Sequence, residues 1–399
     1  DERTKSVAGA SITNYLLEKS RVTKHCSEER NFHVFYLFLK AAPKNLLQEL
    51  GLSSDLSAYK YLQGEKEVPS ISDTEFYEEL IKSFEVTGFT QEEVKGIWEV
   101  LAVVLSLGNV EFDDSKHEQD QSFPCEVTFD SLVHFENSAR ILQISSEKLL
   151  KAVTFYTRNI SGEEIMTPQN KQTCEFFRDS LAKELYSRLF NWIVFKLNKT
   201  LNPPLHCTAS IGILDIFGFE LLEENSFEQF CINYANEKLH QLYISYVFKS
   251  EEYELEVEGL SEYIPDLNFV DNQAILDILE GNPRGIFQLI DQACSVRGDS
   301  KSLLGSIVRT WNGSQFFDTP KIDNNSFIVV HTARDVDYKV TEFRNKNMDE
   351  LRKETEMCGT SSGNPRIRSI FTQGASQQAS ATKFLGANFR RQMNSLMQE

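Results

Sequence analysis

The feature that most constrains the fold is segment 211–220, an apolar run that ends in an acidic turn. Its first four residues, Ile-Gly-Ile-Leu, are typical of a strand buried on both faces of a parallel sheet. Asp215 follows at the carboxyl end, where ligands bind in open α/β sheets. A carboxylate there can hold Mg²⁺ through water, while the N–H of a glycine such as Gly218 approaches a phosphate. The segment therefore predicts an α/β fold with a nucleotide site at this sheet edge.

A long helix is predicted directly after this turn. Asn225 is a suitable N-cap, and Glu228 three residues later can complete a capping box. Apolar and aromatic residues then recur every three to four positions, over 227–234 and again over 239–247. Such a stripe is usually only the core-facing side of a helix. It can also transmit movement if its packing has two discrete arrangements.

The acidic turn also has an ordinary interpretation. Asp and Gly are common turn formers, so the segment alone could be a strand that ends in a tight turn, with Glu220 a solvated charge. The residues that follow favour the functional interpretation. From 211 to 239 the chain closely resembles the switch II loop and relay helix of the myosin motor domain.

Shorter matching words run along the chain in the family's order. Those before the switch resemble elements after switch I and in the upper actin-binding half, and those after it resemble the lower half. They occupy residues 9–22, 30–36, 105–110, 178–193, 271–273, 285–286, 327–331 and 346–351. The resemblance implies an α/β fold: a myosin-type P-loop NTPase motor core with a mixed central sheet flanked by many helices.

The resemblance also implies a division of the chain. Residues 1–207 would form the upper actin-binding half with part of the central sheet, and 208–250 the switch II strand and relay helix. Residues 251–371 would form the lower actin-binding half. Residues 372–383 would be the actin-facing loop 2, and 384–399 the start of the next helix.

Three residues of the acidic turn acquire roles from the resemblance. Asp215 would hold a Mg²⁺-bound water, and the Gly218 N–H would contact the γ-phosphate of ATP. Glu220 would pair with the switch I arginine and position the attacking water. Phosphoryl transfer depends mostly on such positioning and charge compensation. ATP and Mg²⁺ are therefore the implied ligands.

Two nucleotide-binding motifs of the family do not occur in this sequence. It has no Gly-x-x-x-x-Gly-Lys-Ser/Thr phosphate loop and no Asn/Ser-rich switch I. The resemblance places residue 1 after switch I and residue 399 before the reactive-thiol helices, converter and lever. We expect an internal fragment of an actin-activated Mg-ATPase that is inactive alone. Calmodulin-like light chains would bind the lever outside this chain.

An acidic pair, Glu163 and Glu164, is the first predicted actin contact. By resemblance, their loop touches the actin filament at a position that is acidic or phosphorylatable across the family. A glutamate supplies the negative charge that Ser or Thr would gain only by phosphorylation. The ordinary interpretation is a solvated Glu-Glu pair in a turn.

The second predicted actin contact contains Pro283, Gly285 and Ile286. These residues resemble the start of the helix-turn-helix that places apolar side chains on actin. Exposed apolar groups are therefore expected near residues 294–298.

The third predicted contact is Lys383, which follows a Gln/Ser/Ala tract at 372–382. The composition predicts a mobile loop, and the resemblance makes it loop 2. Because the tract carries no charge before Lys383, its electrostatic attraction to actin would be weak.

Composition argues against several classes of protein. A net charge of −18 argues against nucleic acid as the partner. No run of eighteen apolar residues and no secretory signal occur, which argues against a transmembrane segment and secretion. Seven cysteines without a Cys-x-x-Cys pair argue against a disulfide framework or zinc site. We expect a cytoplasmic protein of the actin cytoskeleton.

The sequence leaves two points open: the subtype within the family, and whether the complete protein is catalytic. The family's His-Tyr-Ala-Gly word reads His-Thr-Ala-Arg at 331–334, and a Cys-containing acidic word reads Asp-Gln-Ala-Cys at 291–294. With the short loop 2, the His-Thr pairing resembles short-tailed unconventional myosins of apicomplexan parasites and their relatives. The alternative function is a non-catalytic actin-binding or structural protein derived from a motor head.

Local periodicity predicts further elements. Amphipathic helices are expected over 31–40, 92–107 and 176–198. A strand that turns into a helix is expected over 7–16, and a charged loop over 113–121.

Overall fold

The computed structural model describes residues 7–14, 17–25, 29–160, 163–201, 211–260, 271–296, 298–321, 323–348, 352–375 and 384–398. Two compact units are formed, one by residues 1–209 with 351–379 and the other by 210–350 with 380–399. Within the described residues, no helix combines the length and apolar composition needed to span a bilayer.

The regular elements are mostly helical. In chain order the α-helices are α1 His33–Ala41, α2 Lys44–Glu49, α3 Asp73–Val86, α4 Gln91–Gly108, α5 Ser115–Gln119, α6 Leu132–Leu142, α7 Ser146–Thr154, α8 Lys171–Leu201, α9 Phe227–Ile244, α10 Ser250–Val257, α11 Gln273–Glu280, α12 Ile286–Ser295, α13 Ser300–Trp311, α14 Phe343–Asn347, α15 Lys353–Thr360, α16 Pro365–Ala375 and α17 Leu385–Leu396. The strands are β1 Phe112–Asp113, β2 Glu126–Val127, β3 Phe155–Ile160, β4 Glu163–Pro168, β5 Phe317–Asp318, β6 Ser326–Val330 and β7 Asp335–Lys339. A π-helical turn, Ser245–Lys249, joins α9 to α10.

Helix α4 is buried over most of its length in the first unit. A capping box starts it, with the Thr90 N–H donating to Glu93 Oε2 at 2.9 Å. Every residue from 96 to 108 is then buried, and the helix packs against α6, α8 and α16. The continuous apolar surface of this helix explains why so many elements gather around it.

Helix α16 is fastened to α4 through a buried acid. The Glu99 carboxylate on α4 accepts from Arg366 Nε at 2.8 Å and from Asn364 Nδ2 at 2.9 Å. A buried carboxylate needs such donors, so the pairing holds the two segments together. The structure therefore packs 351–379 in the first unit. The sequence-based division had instead placed residues 351–371 in one segment with 251–350.

The sheets are small and antiparallel. Their strand orders are β1-β2, β3-β4 and β5-β6-β7, and the only parallel pairing among the described residues is an isolated bridge between Asn225 and Tyr338. The predicted buried strand at 211–214 is wrong for this structure: the segment has no regular secondary structure, and Ile211 and Ile213 are 95% and 94% exposed. A doubly buried strand needs hydrogen-bonded neighbours, which the described residues do not supply here. The predicted mixed central sheet is likewise not found among them.

Other local predictions have mixed outcomes. The three predicted amphipathic helices are found as α1, α4 and α8. No strand or helix forms over 7–14, the described part of the predicted 7–16 element. The predicted charged loop 113–121 contains α5, because the Asp113 carboxylate accepts the Ser115 N–H at 3.0 Å and initiates a turn. The predicted loop 372–383 begins instead as the last turn of α16, and its residues 376–383 lie outside the described residues.

Aromatic rings form the core of the second unit. The Phe230 ring on α9 lies 4.8 Å from that of Phe287 on α12, 5.7 Å from Phe343 on α14 and 5.4 Å from Tyr338 on β7, between ring centroids. Tyr234, one turn along α9, lies 5.0 Å from Phe287. Because these rings are fully buried, the first half of α9 is fixed against the rest of the unit.

Two helical glycines should respond oppositely to alanine. A Cβ at Gly374 on α16 would fall on the backbone carbonyl of Arg188 on α8, whereas a Cβ at Gly305 on α13 would meet no atom within 4 Å. We expect Gly374→Ala to lower the free energy of unfolding by about 1–3 kcal/mol. The matched control Gly305→Ala should raise it by about 0.5–1 kcal/mol. Urea unfolding followed by circular dichroism measures both, and a stabilising Gly374→Ala would contradict the packing of α16 on α8.

Candidate functional site

The first half of the acidic turn is open to solvent. Asp215 and Gly218 are both exposed, and a Cβ placed on Gly218 would meet no atom within 4 Å. The backbone of Gly218 is therefore free of steric cover on that side. A ligand could approach both the carboxylate and the neighbouring main chain.

The second half of the turn is held on α9. The Asn233 side chain binds both backbone groups of Glu220: its Oδ1 accepts the N–H at 2.8 Å, and its Nδ2 donates to the carbonyl at 2.9 Å. Gln229 Nε2 donates to the Glu220 carboxylate at 3.3 Å, and Asn236 Nδ2 donates to the Phe217 carbonyl at 2.9 Å. Residues 217–220 are therefore attached to three successive turns of the helix.

Helix α9 starts one residue later than predicted. Ser226 is the N-cap, and its N–H donates to Gln229 Oε1 at 3.0 Å, so the predicted capping box of Asn225 and Glu228 is wrong. The Asn225 amide is engaged elsewhere, because it accepts the Leu222 N–H at 2.7 Å and donates to the Asp337 carbonyl at 3.2 Å. Asn225, which precedes the N-cap, thus connects the start of α9 to β7.

A buried chain of polar side chains leads from Asn233 away from the turn. Asn233 Nδ2 also donates to the Tyr338 hydroxyl at 2.7 Å. That hydroxyl lies 2.8 Å from Nε2 of His331, and Nδ1 of His331 lies 3.1 Å from Oε1 of Glu237. All four side chains are buried, and Asn233 and Glu237 are one turn apart on α9.

Glu237 is a charged group with several donors around it. Thr332 donates to its carboxylate through the N–H at 2.8 Å and through the hydroxyl at 2.7 Å. Asn272 Nδ2 also donates to the carboxylate, and to the Glu237 backbone carbonyl at 2.9 Å. Burial acts to raise the pKa of Glu237, but the donors from His331, Asn272 and Thr332 outweigh it and hold that pKa below its ordinary value.

The apolar stripe predicted for the long helix holds only over its first half. The side chains of residues 227, 230, 231 and 234 are buried, whereas Tyr243 is 56% and Tyr246 73% exposed. The exposure begins before the π-helical turn, because Tyr243 precedes Ser245 and Tyr246 lies within the turn.

The described site residues could supply only part of a Mg²⁺ coordination sphere. Among the described residues, no group of three or more His, Cys, Asp or Glu side chains could hold a metal ion. Asp215 offers one exposed carboxylate, an oxygen ligand of the kind that Mg²⁺ prefers. It could therefore contact the ion through water as one member of a larger set.

The predicted actin-facing acidic pair lies in a β-hairpin rather than in a loop. Glu163 and Glu164 begin β4, opposite Ile160 and Asn159 of β3. Glu164 is exposed. Further along β4, Ile165 and Met166 are 46% and 43% exposed, so apolar surface adjoins the acidic residues.

The second predicted contact is only partly at the surface. Pro283 is exposed, but Gly285 and Ile286 are buried, and the Ile286 side chain has no exposed surface. Ile286 begins α12, whose buried face includes it, so its side chain is not available to a filament here. Val296, within the stretch where apolar exposure was expected, is 78% exposed. Lys383 lies outside the described residues.

Sequence reasoning missed Asn233 and Asn236, which hold the acidic turn, and Tyr338 and Glu237, which belong to the polar chain that leads from Asn233. One signal was present, because Asn233 and Glu237 interrupt the apolar stripe four residues apart. Polar side chains at that spacing share a helix face, and they need hydrogen-bond partners where that face is buried. Apart from Glu220, their partners lie far along the chain, between Asn272 and Tyr338, and could not be identified from spacing.

Comparison with known proteins identifies relatives over nearly the whole chain. The family model described as Myosin head (motor domain) matches residues 2–399. Myosin-6 of Arabidopsis thaliana is 36% identical over 398 residues, covering 98% of this chain and 26% of its own length. Unconventional myosin-Ic of Rattus norvegicus is 34% identical over 409 residues, covering 98% and 38%. Unconventional myosin ID of Drosophila melanogaster is 33% identical over 408 residues, covering 98% and 39%.

The chain thus spans between a quarter and two fifths of the length of these relatives. The family match spans residues 2–399 and therefore includes the acidic turn, α9 and the β3–β4 hairpin. This chain belongs to the myosin head (motor domain) family.

Proposed function

We propose that this chain is the switch II and actin-binding part of an actin-based motor that couples ATP hydrolysis to movement. One observation carries the proposal. The acidic turn is open to a ligand at Gly218, and its other end is tied to α9 through Asn233. A ligand that moves the turn would therefore move the helix.

Each residue of the turn has a separate task in the proposed reaction. The Gly218 N–H donates to the γ-phosphate of ATP, and Glu220 positions the attacking water while it pairs with a switch I arginine. Asp215 would hold Mg²⁺ through water, and the ion, when bound, neutralises phosphate charge. Gln229 supports Glu220 by donating to its carboxylate. These tasks are positioning and charge compensation, the main requirements of phosphoryl transfer.

The actin-facing surface would include Glu163 and Glu164 on the β3–β4 hairpin, Pro283 before α12, and Lys383. Exposed Ile165 and Met166 support an interaction surface on the hairpin. We expect a cytoplasmic motor of the actin cytoskeleton, with calmodulin-like light chains on a lever outside this chain. The His-Thr pairing supports a place near the apicomplexan short-tailed myosins.

The alternative is a motor-derived actin-binding protein without catalysis. A protein that no longer cleaves ATP has no chemical need for Asp215, Gly218 and Glu220 together, yet all three are present. The arrangement around Glu220 also favours catalysis, because its backbone and carboxylate are held by separate side chains.

Gly218→Ala tests the nucleotide role. The added methyl meets no atom of this chain within 4 Å, so the fold should tolerate it. In the complete motor we expect nucleotide to bind and hydrolysis to slow at least about tenfold, a barrier increase of about 1.4 kcal/mol, because the methyl blocks approach to the phosphate. Quench-flow single-turnover assays measure this. Gly212→Ala, equally free of contacts, is the control, and normal cleavage by Gly218→Ala would remove the assigned role.

Glu163→Ala tests the actin role. We expect the actin concentration for half-maximal ATPase activation to rise about twofold to fivefold, the range for loss of one ion pair that solvent screens. Basal ATPase should change little. Glu75→Ala, which removes an exposed charge from α3, serves as the control. Equal actin dependence of the Glu163 variant and the wild type across salt concentrations would make Glu163 an ordinary surface residue.

Measurements on the isolated 399-residue chain test whether the nucleotide site needs a phosphate loop. We expect no measurable Mg-ATP affinity by calorimetric titration, because Asp215 and Gly218 provide only one side of the site. A thermal melt should show low stability and aggregation, because Ile211 and Ile213 are almost fully exposed. Micromolar binding by a cooperatively folding monomer would contradict the proposal and indicate a different nucleotide site.

A further inference from the structure

With Glu237 ionised and His331 neutral, the polar chain Asn233, Tyr338, His331 and Glu237 has one consistent arrangement of hydrogen atoms. The Glu237 carboxylate only accepts, so it takes the hydrogen on Nδ1 of His331 at 3.1 Å. Nε2 of His331 then accepts from the Tyr338 hydroxyl at 2.8 Å. The Tyr338 oxygen is left to accept from Asn233 Nδ2 at 2.7 Å.

This order matches the orientation of the Asn233 amide that the Glu220 backbone requires. Both hydrogens of Nδ2 are used, one for Tyr338 and one for the Glu220 carbonyl, so Oδ1 faces the Glu220 N–H. A flipped amide would place its oxygen against two acceptors. Because Asn233 is fully buried, water cannot compensate for that loss.

Glu237 is well suited to anchor the chain. Besides His331, its carboxylate accepts from the N–H and hydroxyl of Thr332 and from Asn272. A carboxylate has about four acceptor positions, and these donors occupy them. The charge that orients the whole chain is thereby held inside the unit, and Thr332, singled out in the sequence, supplies two of the donors.

We propose that Tyr338 is a positioning residue for ATP hydrolysis: with His331 and Glu237 it fixes the Asn233 amide, and through it the Glu220 backbone. This inference rests on the proposed role of Glu220. Tyr338 touches neither substrate nor water in this account. Its effect reaches the reaction only through the orientation of the acidic turn.

The test is Tyr338→Phe in the complete motor. The ring packing is kept, but Asn233 loses an acceptor and His331 loses a donor. We expect the single-turnover hydrolysis rate to fall about threefold to tenfold, as one buried hydrogen bond would give. ATP affinity should remain within about twofold, because Tyr338 does not contact the nucleotide.

Tyr234→Phe is the matched control. Tyr234 is also fully buried, and its hydroxyl donates to Glu280 at 2.6 Å, outside the polar chain. The Tyr234→Phe variant should lose about as much stability as Tyr338→Phe and keep the wild-type hydrolysis rate. If both variants slow hydrolysis equally, the effect is one of packing, and the proposal is overturned.

A second pair of variants covers the case in which Tyr338→Phe does not fold. Thr332→Val removes one donor to Glu237 without changing the side chain's shape, and Thr332→Ser restores the hydroxyl. We expect hydrolysis to slow about twofold to threefold in the valine variant and to recover in the serine variant. If hydrolysis by Thr332→Ser is as slow as hydrolysis by Thr332→Val, the proposal is contradicted.

Gly218→Ala in the same assay separates the two hypotheses. If Gly218→Ala stops hydrolysis while Tyr338→Phe cleaves at the wild-type rate, only the positioning role fails. If Gly218→Ala itself cleaves normally, the proposed function of the acidic turn fails first.

Discussion

Two polar side chains buried on one helix organise the second unit. Asn233 and Glu237 lie one turn apart on α9 and have no exposed surface. Burying an amide or carboxylate without partners costs on the order of 2–7 kcal/mol or more, so each must be matched by donors and acceptors from elsewhere. The partners come from the acidic turn, β7, the loop after β6 and the residue before α11. Satisfying two groups therefore fixes four segments around one helix.

The first unit uses the same physical constraint with a different result. Glu99 is buried on α4, and its donors, Arg366 and Asn364, lie at the start of α16. Arg188 on α8 adds a guanidinium 3.9 Å from the ring centre of Phe371. A carboxylate that cannot reach water thus recruits a segment distant in sequence. This explains why a helix pair near the end of the chain completes a core that begins near residue 22.

The two halves of the acidic turn have complementary properties for the proposed coupling. Residues 215–218 are open enough for a ligand to reach them. Residues 217–220 are hydrogen-bonded to α9, so their movement would be passed to the helix. The attachment is made of hydrogen bonds with fixed direction, so small displacements of the turn change their geometry strongly. Tyr243 near the end of α9 and Tyr246 in the π-helical turn are exposed, so this part of the helix has less packing to resist movement.

The sequence by itself determined α1, α4, α8 and the family, because periodicity and motif order are local properties that need no knowledge of distant segments. It also identified Asp215, Gly218 and Glu220 as the candidate site. Only the tertiary structure decided that 211–214 forms no strand, that Ile286 points inward and that Asn233 holds Glu220. A strand depends on its neighbours, and burial depends on what packs above a side chain. The hydrogen bonds between Asn233 and Glu220, only 13 positions apart, depend on how the acidic turn folds back onto the helix.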